Sequence, residues 1–167
     1  RPWLPGRSVM GRRTWIGLFG WLALCYGVSA FGSRFQGGAW YDQLAKPALT
    51  PPGCVFGVVW AVLYGLMAIA AWLVWKRRGF AGAPWALGAF LAQLALNAAW
   101  SWLFFGIHRI GIALLEILLL WAAIAITTIL FWRHRGLAAA LLLPYLLWVT
   151  FAIYLNFEIW RLNAASP

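Results

Sequence analysis

Fourteen tryptophans in 167 residues, with a small set of amides and carboxylates, are what this sequence offers to chemistry. Trp60, Tyr64 and Met67 lie four and three residues apart, so on a helix they share one face. Gln93 and Asn97 are four apart and are followed by Trp100, Ser101 and Trp102. Glu116, Tyr145, Trp148, Tyr154, Asn156 and Glu158 complete the set. Broad π-surfaces with a few polar tips suit stacking against a large, flat, apolar molecule. A tetrapyrrole, a sterol or a synthetic aromatic would each qualify, and these residues do not choose among them.

Other chemistries find little support. His108 and His134 fall in short connections, so neither is placed for axial haem ligation inside a bundle. There is no Gly-rich phosphate loop, no cluster of metal-ligating residues and no Ser/His/Asp arrangement. Cys25 and Cys54 lack a Cys-x-x-Cys spacing, and a disulfide between them cannot be argued from sequence. Glu116 and Glu158 are two carboxylates without a base or metal, so nothing requires an enzyme or an obligatory cofactor. Each polar residue also has a structural reading. Glu158 can pair with Arg161 one turn on, Glu116 with a loop-side cation, and Gln93, Asn97 and Asn156 can join helices by hydrogen bonds. Trp15, Trp72, Trp75, Trp85 and Trp132 fit interfacial belts.

The elements that must hold these groups follow from composition. The chain is 65% hydrophobic and 10% charged, against roughly 25% charged in soluble domains. A membrane-crossing helix needs about 20 mainly apolar residues, and five segments qualify: 14–31, 55–75, 84–105, 110–132 and 137–160. The fold class is therefore an all-α membrane protein, a bundle of five transmembrane helices over residues 14–163. Residues 1–13 form a polar N-terminal segment, with Met10 a candidate natural start. Between the first two spans runs a long loop stiffened by Pro47, Pro51 and Pro52.

Charge placement orients the bundle. Nine of the thirteen Lys and Arg fall in the N-terminal segment or after spans two and four, and Arg34, Lys46, Arg109 and Arg161 fall on the opposite side. The positive-inside rule then puts the N-terminus in the cytoplasm. This pattern accounts for the net charge of +10 without nucleic acid and favours contact with anionic lipid. Threading the spans brings Trp60, Tyr64, Asn97, Trp100, Glu116, Asn156 and Glu158 into the outer half, beneath the proline-stiffened loop. A polar-tipped aromatic cavity with that loop as lid is expected. Gly88, Ala92, Ala95 and Ala99 form a strip of small residues on span three, suited to a homodimer seam or to internal packing.

Read in order, these residues resemble the translocator protein family, also called tryptophan-rich sensory proteins (TspO/MBR), over 14–163. The matching elements are Trp40-Tyr41 with Leu44, Lys46-Pro47 and Pro51-Pro52; Trp60 with Leu63-Tyr64 and Met67; and Gln93 to Asn97 with Trp100. They continue through Phe104-Phe105-Gly106, Pro144-Tyr145 with Trp148, Ala152, Leu155-Asn156, Trp160-Arg161 and Asn163. The resemblance implies a five-helix bundle, often dimeric, that binds porphyrins and, in animal members, cholesterol and isoquinoline or benzodiazepine drugs. The ligand-binding positions it implies are Ala30, Phe56, Gly57, Val59, Trp60, Asn97, Trp100, Leu115, Trp148, Ala152 and Leu155, to which Tyr64, Trp40 and Tyr41 are added. Positions tied to porphyrin breakdown in some bacterial members correspond to Trp60 and Trp148. Phe157 stands where the sterol-recognition segment of animal members needs Tyr, which argues against sterol binding, and Ile112 where those members place a pocket Trp.

The expectation is a membrane protein that binds porphyrin, as ligand rather than cofactor, in a sensory, regulatory or transport-associated role. Trp60, Trp100 and Trp148 would stack on the ring, Asn97, Tyr64 and the loop would orient its polar edge, and Lys46 or Arg34 would meet a propionate. A bacterial inner membrane is expected, with the outer membrane open. The rivals are a porphyrin-degrading enzyme and a partner protein whose cavity holds only lipid.

Overall fold

Apolar runs long enough to cross a bilayer become helices because only internal hydrogen bonding satisfies the backbone in hydrocarbon. The computed structural model describes residues 7–164. Its helices are α1 (Arg7–Ser33), α2 (Ala39–Gln43), α3 (Gly53–Gly82), α4 (Pro84–Ser101), α5 (Ile110–His134) and α6 (Gly136–Asn163), with a π-helical turn at Trp102–Gly106. All but α2 contain a span apolar and long enough to cross a membrane. The protein is thus an all-α integral membrane protein with five such helices.

Several ends differ from the sequence reading. The helix α1 begins seven residues before the apolar run, so part of the polar segment 1–13 continues it as helix; residues 1–6 lie outside the described residues. In α3 the backbone breaks at Gly79 (φ 65°), a left-handed conformation open to glycine. Pro84 then starts α4, where its missing N–H costs nothing. His134 closes α5 rather than sitting in a loop.

The five long helices pack as a ring, α1 on α3, α3 on α6, α6 on α5, α5 on α4, and α4 back on α1. The main core fills its centre with Met67, Leu87, Phe90, Ile117, Ile124, Phe131, Leu142 and Tyr145, all essentially inaccessible. A second, small cluster of Phe104, Ala113 and Ile159 lies under the loop and carries Trp40, Tyr41 and Leu44. Gly17 lets α1 approach α3, since a Cβ there would overlap the Trp75 ring. Trp75 is therefore a packing ring and not only a belt residue. No such neighbour lies within 4 Å at Gly20 or Gly27.

Candidate functional site

Helix α2 is the part of the loop that shapes the site. Gly37 and Gly38 (φ 87° and 97°) turn the chain through the left-handed region, and the helix then lays Trp40 and Tyr41 on the small cluster. Trp40 stacks on His108 at 3.8 Å, and Tyr41 meets Phe105 edge-on at 5.4 Å. Lys46 donates to the carbonyls of Asp42 and Leu44, and its ammonium lies 4.6 Å from the Tyr41 ring centre. Beyond α2, Asn163 grips the loop: its Oδ1 accepts from Ala45 N at 3.1 Å, and its Nδ2 donates to Ala45 O at 2.9 Å. Burial, and then the neighbouring Asp42 carboxylate, push the Tyr41 hydroxyl above the ordinary phenol range.

Beneath this lid is a cavity of about 370 Å³, inside the usual range of roughly 300–1,000 Å³ for ligand pockets. Gln36, Gly37, Tyr41, Asp42 and Gly53 form its loop side. Phe56 and Trp60, one turn apart on α3, face Trp148 and Ala152, one turn apart on α6. Trp100 and Phe105 close it from the α4 end. The π-helical turn explains how both Trp100 and Phe105 arrive there. One extra residue in the turn, seen in the bond from Ile107 N to Trp102 O, shifts the following side chains around the axis. Phe104 then enters the small cluster while Phe105 reaches the cavity.

A polar ladder stands behind Trp60. Tyr64 OH donates to Asn97 Oδ1 at 2.6 Å, Asn97 Nδ2 donates to Tyr145 OH at 2.7 Å, and Tyr145 OH donates to Gln93 Oε1 at 2.9 Å. The Trp60 ring rests at 5.6 Å from Tyr64 and 6.2 Å from Tyr145. Tyr64 and Asn97 are thus buried and bonded to each other, outside the cavity lining. Trp100 Nε1 donates to Asn156 Oδ1 at 3.0 Å, and Asn156 Nδ2 donates to Ile110 O, so Asn156 ties α6 to both α4 and α5. Arg161 and Glu158 form the one-turn ion pair at 2.7 Å.

Of the sequence-derived positions, the structure brings Tyr41, Phe56, Trp60, Trp100, Trp148 and Ala152 together on the cavity wall. Val59 sits instead in a largely apolar groove on the open side of the α3–α6 seam, where Trp148 is again part of the wall. Trp40 braces the lid from below. Ala30, Gly57, Leu115 and Leu155 are not among the lining residues, and Leu115 is 67% exposed on α5. Lys46 is engaged with the lid's own backbone, and neither it nor Arg34 lines the cavity. Sequence reasoning missed Gln36, Gly37, Asp42, Gly53 and Phe105 as lining residues. The Gly37-Gly38 pair signals the loop, but nothing in helical periodicity reports a π-turn.

Among the described residues, three buried side chains keep polar atoms without a partner: Gln93 Nε2, both carboxylate oxygens of Glu116, and Trp148 Nε1. The expected pairing of Glu116 with a loop cation does not form, because Glu116 is buried within the bundle on the second turn of α5. Among the described residues no group of His, Cys, Asp and Glu is arranged to hold a metal ion. Cys25 is buried and Cys54 exposed, both as free thiols.

Comparison with known proteins gives one consistent answer. The TspO/MBR family profile matches residues 21–161. The human translocator protein is 44% identical over 137 residues, covering 79% of this chain and 81% of that protein. Protein CrtK of Rhodobacter capsulatus is 41% identical over 143 residues, covering 83% and 88%. The tryptophan-rich sensory protein of Cereibacter sphaeroides is 38% identical over 153 residues, covering 92% and 95%.

Proposed function

The chain belongs to the TspO/MBR family, and from that premise we propose that it binds a flat tetrapyrrole, a porphyrin, in the cavity under α2. The family and the names of its relatives are consistent with a sensory or transport role at a membrane. The observation that carries the ligand is the wall itself. Six aromatic rings, from Tyr41, Phe56, Trp60, Trp100, Phe105 and Trp148, enclose one space of about 370 Å³ closed above by a clasped loop. Aromatic faces gain most from stacking on another broad π-system, through dispersion and offset quadrupoles. Trp60 and Trp148 stand across the cavity from the lid and serve as the main stacking surfaces.

Tryptophan-fluorescence quenching by protoporphyrin IX in nanodiscs tests this reading. Trp60→Phe and Trp148→Phe are compared with Trp85→Phe, a ring 82% exposed at the start of α4. Saturable quenching weakened by the first two substitutions and not by the third is expected. Non-saturating quenching, equal in all proteins, means partition into lipid and overturns the reading. Absorbance followed over time separates binding from breakdown.

The same reading extends to assembly and placement. Gly88, Ala92 and Ala95 are exposed on α4, Ala99 is half-buried, and a Cβ at Gly88 would meet nothing within 4 Å. That open strip of small residues supports a homodimer packed through α4. The charge asymmetry supports a cytoplasmic N-terminus with anionic lipid at the basic side, and the hydropathy of the five helices supports a bacterial inner membrane.

A further inference from the structure

Polarity in the cavity is gathered at one end. Gln36, Tyr41 and Asp42 are the side chains of its wall that carry oxygen, and all three belong to the loop and α2. Gln36 is exposed and Tyr41 half-buried, and neither the Gln36 amide nor the Tyr41 hydroxyl has a hydrogen-bond partner. Neither group is among the sealed polar atoms, so both are open to an incoming molecule. The Tyr41 hydroxyl, pushed above the ordinary phenol range by burial and then by Asp42, keeps its proton at neutral pH and can donate. Asp42 and the Lys46 ammonium, 4.6 Å from the Tyr41 ring centre, place one charge of each sign next to it. This end is polar without favouring either sign.

Below the loop the wall turns to carbon. It consists of aromatic rings from α3, α4, the π-helical turn and α6, with the Ala152 methyl. Trp100 spends its indole N–H on Asn156, and that of Trp148 is sealed off. Tyr64 and Asn97 are bonded to each other outside the lining. The Trp60 N–H is the single side-chain donor left in this part of the wall. A ligand edge with several polar groups, buried there, would keep the desolvation penalty of every group that finds no partner. The same edge at the loop meets Gln36, Tyr41 and water.

We propose that Tyr41 and Gln36 set the orientation and specificity of the cavity by hydrogen-bonding an acceptor-bearing edge of the ligand at the loop, with its ring system inward among the indoles. The proposal rests on the preceding reading that a flat aromatic ligand occupies the space. It adds that the ligand is amphipathic, with carboxylate or carbonyl groups gathered on one edge, and names the two side chains that read that edge.

The test uses the full chain in nanodiscs, with two probes that share a macrocycle: protoporphyrin IX, which has two acid groups on one edge, and etioporphyrin, which has alkyl edges only. Partition of each probe into empty nanodiscs is measured and subtracted. Wild type binds the diacid more tightly than the alkyl porphyrin. Tyr41→Phe, which keeps the ring, and Gln36→Leu, at an exposed position, each weaken the diacid by about threefold to tenfold, the span of one net hydrogen bond. Both leave the alkyl porphyrin within about twofold, whereas Trp60→Phe weakens the two probes alike. Equal weakening of both probes by Tyr41→Phe and Gln36→Leu would make these residues packing only and overturn the proposal. Saturable diacid binding that neither substitution changes, or a wild type that does not prefer the diacid, overturns it too and leaves the preceding reading standing. Absence of saturable binding by either probe in wild type overturns both.

Discussion

Removing one oxygen atom, by Tyr145→Phe, tests whether the polar ladder holds the helices under the cavity. The Tyr145 hydroxyl accepts from Asn97 and donates to Gln93, joining α6 to α4 twice. Gln93 already has an unpaired Nε2, so the substitution leaves its whole amide without a partner. Phenylalanine keeps the ring and opens no cavity, which removes the usual volume contribution. Interhelical hydrogen bonds in bilayers average about 0.6 kcal/mol and reach about 1.7. Two lost bonds therefore cost about 1–3 kcal/mol. Reversible unfolding in mixed micelles, followed by far-UV circular dichroism, measures that loss. Tyr26→Phe, which removes one bond to Ala61 O on the exposed side of α1, serves as the comparison and should cost less. Because Trp60 rests on Tyr64 and Tyr145, its emission should also shift. A change below about 0.3 kcal/mol, or one no larger than in Tyr26→Phe, refutes the reasoning that this ladder is a structural brace.

Three further outcomes follow from particular contacts. Gly17→Ala places a methyl group in the Trp75 ring and should cost about 1–3 kcal/mol as overpacking; thermal stability should recover in the Gly17→Ala/Trp75→Leu double variant. Glu116→Gln or Glu116→Leu removes a carboxyl group that has no partner in a membrane-spanning helix, so unfolding should show equal or higher stability. A marked loss would mean that the carboxyl group has a partner. Asn163→Ala releases Ala45; hydrogen exchange across residues 39–50 should speed up while α4 and α5 stay unchanged, and equal protection of the loop would show that the clasp is dispensable.

What was legible in the sequence was what the bilayer itself enforces. Long apolar runs have one backbone solution in hydrocarbon, so the five spans could be read directly. Groups with short-range geometry were legible too: Glu158 and Arg161 are a turn apart, and Asn156 lies where an amide must bond across helices. Contacts set by tertiary shape were not. Helix α2 is five residues long, below any periodic signal, and exists because the small aromatic cluster receives Trp40 and Tyr41. Phe105 lines the cavity only because a π-turn inserts one residue into the register. Lys46 carries a charge that sequence reasoning aims at a ligand, yet the carbonyls of its own lid lie closer. Glu116 has a cation-paired reading as one of its two readings in the sequence, but it is buried on the second turn of α5 with neither carboxylate oxygen bonded.

The clasp between Asn163 and Ala45 spans 118 positions of the chain, and that separation has a meaning in time. A chain threaded into the membrane from its N-terminus presents the loop early, with α1 and α3 on either side of it. At that stage the loop has neither Phe104 beneath it nor Asn163 to hold it. The seat is built in turn by Phe104 of the π-helical turn, Ala113 of α5 and Ile159 of α6, and the fastening comes only with the end of α6. Any encounter with a ligand before residue 163 is in place is an encounter with an unroofed half-bundle. Closure of the cavity thus draws on Trp148, Ala152 and Asn163 from the far end of the chain as well as on the early loop.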